Sequence, residues 1–228
     1  MVKATLADLK TNTRRPVKPQ PLSRANEVLG QYDHLCANPV TDDLNDSEYG
    51  KWALYGRFSN GIFRPVSPFF APKYQPGDRL WVREAFVVDS IYDDLPPRNL
   101  PDIGDDLCIH YLADEPLGSW GLGRYRHARF MPKRFARIWL EVVSVKVERL
   151  KEITLKDIFA EGVPRMVDSY QENYQGQGHA SIDIEPIHKA GFASLWDSIY
   201  AKTFPWDANP WVWVYEFKPL HPNQSERS

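Results

Sequence analysis

At 228 residues, 43% hydrophobic and 25% charged, with 8 Trp, 11 Tyr and 11 Phe, the chain has a globular composition, which excludes a disordered or fibrous protein. Its net charge of −2 gives no whole-molecule attraction to polyanions. No apolar run reaches the roughly 18 residues of a membrane span, and the N-terminal MVKATLADLKTNTRR lacks the apolar core of a signal peptide. Two cysteines, Cys36 and Cys108, are too few for a disulfide framework, so a cytoplasmic, reducing location is expected.

In chain order, Val2 to Leu9 is moderately helical, and the polar run Lys10 to Arg15 before Pro16 predicts an extended loop after it. Residues 17–76 are rich in Pro, Asn, Asp and aromatics without a clear period, predicting mostly loop with one or two short hairpins around Lys51 to Phe58. Pro76-Gly77-Asp78 is a turn signal, and the aromatic, β-branched run Arg79 to Val88 behind it predicts a strand. Leu107 to Leu112 predicts another. Phe135 to Leu150 alternates Ala136, Ile138, Leu140 and Val142 against Arg137, Trp139, Glu141 and Val143, then continues through Val145 and Val147, predicting a long strand. Thr154 with Asp157 three residues on predicts a capped short helix over Leu155 to Glu161, closed by Gly162 and Pro164. After a polar insertion, Ile187 to Tyr200 predicts a helix with Ile187, Phe192, Leu195, Trp196 and Ile199 on one face, and Trp211 to Lys218 an aromatic final strand on which Trp211 and Trp213 share a face.

Charge is unevenly placed. Met1 to Arg24 holds Lys3, Lys10, Arg14, Arg15, Lys18 and Arg24 against Asp8 alone. The second basic segment, 124–137, holds Arg124, Arg126, Arg129, Lys133, Arg134 and Arg137 with no acid, interleaved with Tyr125, His127, Phe130 and Phe135. Cations for phosphates and rings for base stacking are what a single-stranded nucleic-acid surface requires. The alternative is a solvated loop whose aromatics plug the core.

Several segments together resemble the ASCH-domain proteins of phages and prophages, a branch of the PUA-like superfamily. They are Leu9 to Arg15 with Val17 to Pro21, Gln75 to Glu84, Met131-Pro132 with Arg137, Asp157 to Gly162, Leu195 to Ile199, and Trp206 to Trp213. The resemblance implies an α+β fold, a small mixed β-barrel flanked by helices. It implies one domain over 1–220, with long loop insertions near 22–72, 89–128 and 164–186 and a frayed tail at 221–228. Proteins of this type begin with a strand before the first helix, and Met1 falls about where that strand would end.

The resemblance also implies binding of RNA, DNA or a modified nucleoside across the barrel cleft. In small bacterial members it implies hydrolysis of the acetyl amide of N4-acetylcytidine by a Lys, a Thr and a Glu. The matching positions here are Lys10, Thr13 and Glu161, with Arg15 completing the Lys-Thr-x-Thr-x-Arg segment. Amide cleavage needs a nucleophile, a base and a proton donor to the leaving amine. Thr13 would supply or position the nucleophile, Lys10 would act as base with a pKa lowered by Arg14, Arg15 and a dry pocket, and Glu161 would carry the proton. On the bare residues, Lys10, Arg14 and Arg15 read equally as a phosphate patch, Thr13 as a turn residue and Glu161 as a helix-end charge.

The expected binding residues are Arg14, Arg15, Arg124, Arg126, Arg129, Lys133 and, of the alternating pair Arg83-Glu84, the one that the resemblance favours, Glu84. Nucleic-acid or nucleoside binding, RNA-directed, is the leading expectation; the amidohydrolase is the alternative, and ribonuclease ranks third because no His pair supports it. The pairs His34/Cys36 and Cys108/His110 lack the spacing of a zinc finger or ribbon. Gly118 to Gly123 is no dinucleotide fingerprint and no Walker motif occurs, so no metal or cofactor is expected. A monomer is favoured, with no membrane partner.

Overall fold

The structure is a computed structural model. It describes residues 10–20, 51–55, 69–104, 107–114, 122–164 and 184–220, the backbone of 35–39, 56–57 and 63–65, and Lys3 and Thr5. Among these residues lie nine strands: β1 (Asn12–Pro16), β2 (Leu35–Pro39), β3 (Trp52–Arg57), β4 (Phe63–Pro65), β5 (Arg79–Trp81), β6 (Phe86–Val87), β7 (His110–Tyr111), β8 (Trp139–Arg149) and β9 (Trp211–Leu220). Two α-helices, α1 (Leu155–Ala160) and α2 (Ile184–Tyr200), lie between β8 and β9.

The fold is α+β. A curled, half-barrel antiparallel sheet runs in the order β1-β9-β8-β5, accompanied by a three-stranded sheet β2-β3-β4 and the pair β6-β7. The two longest strands, β8 and β9, form its centre, from Trp139↔Leu220 to Arg149↔Trp211. A bulge between Val142 and Ser144 shifts the register. Val142 lies in the core and Val143 is exposed. Before the bulge the inward residues of β8 are Leu140 and Val142; after it they are Val145 and Val147. The extra residue switches the strand's parity, so both halves face one core.

The sheet has an apolar cluster on each side. On one side Val17, Leu54, Val142, Val147, Trp211, Trp213 and Tyr215 pack with Trp52, Phe70 and Tyr74, the rings of Trp52 and Phe70 meeting Trp213 at 5.9 and 5.5 Å. On the other, Val212 and Val214 pack with Leu150, Ile153, Ile158, Phe192 and Trp196 beneath the two helices. Each fully buried Leu, Ile or Phe contributes roughly 1.5–3 kcal/mol. Residues of β9 alternate between these clusters, which fixes the side on which every residue of β1 lies.

Several sequence expectations change. The run after Lys10 is a strand, not a loop, because β1 pairs residue for residue with β9 from Asn12↔Glu216 to Pro16↔Val212. Its buried positions are Asn12, Arg14 and Pro16, so no apolar alternation announced it. The expected strand 79–88 is two short strands, since β5 pairs with β8 while β6 turns away to β7. Within the loop-rich 17–76, β3 falls where short hairpins were expected around Lys51 to Phe58, and it pairs antiparallel with β2 on one side and β4 on the other. Helix α2 buries His188, Phe192 and Trp196 and exposes Ile187, Leu195 and Ile199, so its inward face is rotated from the expected one. Thr154 caps α1 as expected: its hydroxyl accepts the Asp157 N–H and the Asp157 carboxylate accepts the Thr154 N–H. Gly162 ends the turn at φ 81°, a left-handed value that favours glycine. Of the expected first helix, Lys3 and Thr5 are described and helical; residues 165–183 and 221–228 lie outside the described residues. Among the described residues no helix is long and apolar enough to cross a membrane.

Candidate functional site

Two polar assemblies carry the residues singled out by the sequence. The first lies where β1 meets the end of α1. Lys10 forms an isolated bridge with Glu161, and the Thr11 N–H donates to the Ala160 carbonyl at 2.8 Å, so backbone contacts hold the strand against the helix terminus. The Lys10 ammonium, only 4% exposed, donates to the Asn12 carbonyl, the Glu161 carbonyl and Glu161 Oε2, each at 2.8 Å. These three bonds use all three of its donors.

Arg14 lies beside it, fully buried. Its Nε and NH2 donate to Glu148 Oε1 at 3.0 and 2.6 Å, its NH1 reaches Glu161 Oε1 at 3.4 Å, and NH2 lies 3.3 Å from Asp157 Oδ2. Lys146 completes the chain at 3.0 Å from Glu148. Burial pushes the Lys10 pKa below its ordinary value; Glu161 opposes that, and the charges of Arg15 and Arg14 reinforce it. For Asp157, burial acts upward, but the Thr154 hydrogen bonds and the Arg14 and Lys146 charges outweigh it and leave the carboxyl lowered.

Thr13 stands apart from this assembly. It pairs with Tyr215 across the ladder, whereas Arg14 pairs with Val214. Tyr215 belongs to the interior aromatic cluster and Val214 to the helix-side cluster, so Thr13 and Arg15 lie on the face of β1 opposite Arg14. The Thr13 Oγ1 is buried with no hydrogen-bond partner. The structure therefore joins Lys10 to Glu161 and leaves the Thr13 hydroxyl bonded to neither. Arg15 is exposed and donates to the Arg14 carbonyl at 2.9 Å.

The second assembly is built on the basic segment and the β5 end of the sheet. Tyr125 and Phe130 are 57% and 54% exposed, and Arg124, His127, Arg129, Lys133 and Arg134 around them are exposed too. Two 3-10 turns, Ala128–Phe130 and Lys133–Phe135, shape the segment; the His127 ring nitrogen accepts the Arg129 N–H at the start of the first. Cations lie over rings: Arg129 over Phe130 at 4.7 Å, Lys133 over Trp139 at 5.2 Å, and Arg83 over Trp81 at 4.7 Å. Trp81 and Trp139 are cross-strand partners of β5 and β8, and Arg83 donates to the Arg129 carbonyl at 2.8 Å. The strip is thus continuous from the segment onto the sheet.

Arg126 differs from its neighbours. It is buried, donating to the Tyr92, Leu95 and Arg124 carbonyls and pairing with Asp93 at 3.6 Å. It ties down the loop rather than facing a ligand. Gly123 sits against the Asp93 side chain and Ser90 with no room for a Cβ. Glu84 is likewise enclosed, at 1% exposure; its carboxylate accepts Arg137 Nε at 2.9 Å and NH2 at 2.8 Å, while Arg83 beside it is exposed.

Sequence reasoning did not assemble the group around Arg137. Besides Glu84, its guanidinium donates to Asp114 Oδ2 and Oδ1 at 2.6 and 2.9 Å and lies 3.9 Å over the Tyr111 ring. The Glu84 bonds, with those to Asp114, hold the guanidinium above the ordinary arginine range, so it is a permanent cation. Burial raises the Tyr111 hydroxyl, which donates to the Phe135 carbonyl at 2.7 Å. The available signal was the strand periodicity placing Arg137 two residues before Trp139; its partners come from segments distant in sequence, Glu84 after β5, Tyr111 in β7 and Asp114 in the turn behind it.

Among the described residues no group of three or more His, Cys, Asp or Glu is placed to hold a metal ion. Cys108 is exposed as a free thiol, and the side chains of His34 and Cys36 lie outside the described residues. No family model, no curated protein and no solved structure matches the chain.

Proposed function

We propose that this chain is a nucleic-acid-binding protein of the ASCH, PUA-like type, directed at single-stranded RNA through the strip that runs from Arg124 to Lys133 and onto Trp81 and Trp139. The observation that carries the reading is the exposure of Tyr125 and Phe130 among exposed cations, with no acid between residues 124 and 137. Rings exposed side by side with cations offer apolar area that a ligand can bury, and base stacking on such a ring is worth roughly 1–3 kcal/mol. Arg83, Arg124, Arg129 and Lys133 supply the phosphate contacts.

Anisotropy of a fluorescein-labelled oligouridylate tests this. Four phosphate contacts to a single strand lower affinity about fiftyfold between about 50 and 200 mM salt. Phe130→Ala weakens binding at every salt concentration, and Arg129→Ala weakens it and flattens the salt dependence. Affinity independent of salt, or unchanged in both variants, removes the proposal.

A second reading, hydrolysis of an acyl amide on a modified cytidine, is favoured by the buried contact of Lys10 with Glu161 and by the lowered pKa of Lys10. With Thr13 on the other face of β1, the nucleophile in this reading is a water that gives its proton to Glu161, which passes it to the leaving N4 amine, while Lys10 exchanges one of its three present bonds to donate to the developing oxyanion. Release of acetate from N4-acetylcytidine, retained in Thr13→Val and lost in a folded Lys10→Ala variant, is the expected result. Absence of turnover in the wild type eliminates this reading.

A further inference from the structure

Arg137 is held in a way that a purely structural ion pair does not require. One edge of its guanidinium, Nε with NH2, is fixed by Glu84, a carboxylate at 1% exposure in the interior. Its plane lies over Tyr111, whose hydroxyl is anchored to the Phe135 carbonyl. The remaining edge, NH1 with NH2, points away from Glu84 and grips both oxygens of Asp114. An arginine fixed on one edge and stacked on its face has lost its side-chain freedom beforehand, so its outer edge is a preorganised fork for any oxyanion with two oxygens.

Asp114 is the exposed member of the set. Its side chain is 56% exposed, and it closes a short turn in which its N–H donates to the Tyr111 carbonyl at 3.0 Å. The grip is bidentate, but solvent at this exposure screens it and leaves the carboxylate open to displacement by another anion. The surroundings are cationic. The Val82 N–H donates to the Ile138 carbonyl at 3.0 Å, continuing the β5-β8 ladder past Trp81↔Trp139, so exposed Arg83, whose guanidinium lies over Trp81, follows on the strand beside the one that Arg137 leads into. A cation on the neighbouring strand adds to the attraction for an anion bound beside Arg137.

We propose that the outer edge of Arg137 is an oxyanion site that takes a phosphate group, and that Asp114 occupies it in the free protein as an internal stand-in. This rests on the nucleic-acid reading above: the phosphate belongs to a strand whose bases lie along Trp81, Trp139 and Phe130, and Arg83 shares it with Arg137. When Asp114 swings out, one positive charge is left uncompensated among Arg83, Arg137 and Glu84, and the phosphate replaces the carboxylate on the same two nitrogens. Asp114 therefore restrains binding and discriminates against ligands without a phosphate at this position.

The test uses the full chain as wild type, Asp114→Ala, and Asp114→Ala combined with Arg137→Lys. Two probes are used, the labelled oligouridylate and inorganic pyrophosphate, with pyrophosphate binding read as a rise in melting temperature. Asp114→Ala tightens the oligonucleotide roughly threefold to fivefold, the value of an exposed ion pair removed from competition. It also gains a pyrophosphate-dependent rise in melting temperature that the double variant loses, because lysine cannot present the fork. Where the wild type binds the oligonucleotide and Asp114→Ala binds it equally or more weakly, the stand-in role is overturned. Where pyrophosphate stabilises Asp114→Ala but no variant binds the oligonucleotide, the oxyanion site stands and the nucleic-acid reading falls. Where neither probe binds any variant, both fall. If the double variant melts far below the wild type without ligand, Asp114→Ala with Arg83→Ala takes its place, and loss of the gain there upholds the shared phosphate.

Discussion

Lys10, in the bridge just before β1, and Thr13 within it are three residues apart, an odd separation along an extended chain, and so face opposite ways. That one integer decides what each does. Lys10 has all its donors filled in the Glu161 cluster, and Thr13 keeps a buried hydroxyl with no partner. A buried unsatisfied hydroxyl is a cost, and exchanging it for a methyl of the same shape removes it. Thr13→Val therefore stabilises the protein by about 1 kcal/mol in urea unfolding; a loss of stability would show that the hydroxyl has a partner in solution. The residue types of the expected Lys-Thr-Glu set are legible in the sequence, but the face of the strand is not. It depends on pairing with β9, some two hundred residues downstream along the chain. Arg126 and Arg129 make the same point. They are equal in type and three apart, yet one is an internal tie and the other a surface cation.

At the scale of elements, α1 shows how a six-residue helix is held in place. It is too short to persist alone, and the Thr154–Asp157 capping box, the Ile158 contact with the core and the Arg14–Asp157 and Arg14–Glu161 ion pairs dock it on β1. Asp157 makes this docking sensitive to acid. Its folded pKa lies below the ordinary value of 3.8, so its contribution is fully present above pH 3.8 and is lost as pH falls through the folded value. Denaturant midpoints measured down through this window fall less steeply for Asp157→Asn than for the wild type, with the lowered Asp114 carboxyl retaining part of the slope. Equal slopes would mean that Asp157 does not carry the docking. The capping box was legible because its signals are local. The inward face of α2 was not: Ile187, Leu195 and Ile199 suit a core better than His188 by hydropathy alone, yet His188 is buried against the Phe159 ring at 5.0 Å and hydrogen-bonds the Ile184 carbonyl.

For the molecule as a whole, the long central strands and the α+β class were readable because β8 alternates up to its bulge and β9 is a nearly unbroken apolar, aromatic run buried on both faces. The edges were not. β1 is stabilised by buried charge pairs, and β5, β6 and β7 are two or three residues long, too short for any period to show. The two candidate sites sit toward the opposite edge strands, β1 and β5, with β8 and β9 between them. The bulge at Val143 lies on this central span. With Val143 absent, Leu140, Val142, Val145 and Val147 would fall into unbroken alternation, each on its present face and against its present partner. No core residue would change sides; only the bend would go. The curvature that sets the two edges at their present angle is thus encoded by the number of residues in β8, and a substitution at position 143 leaves that number unchanged.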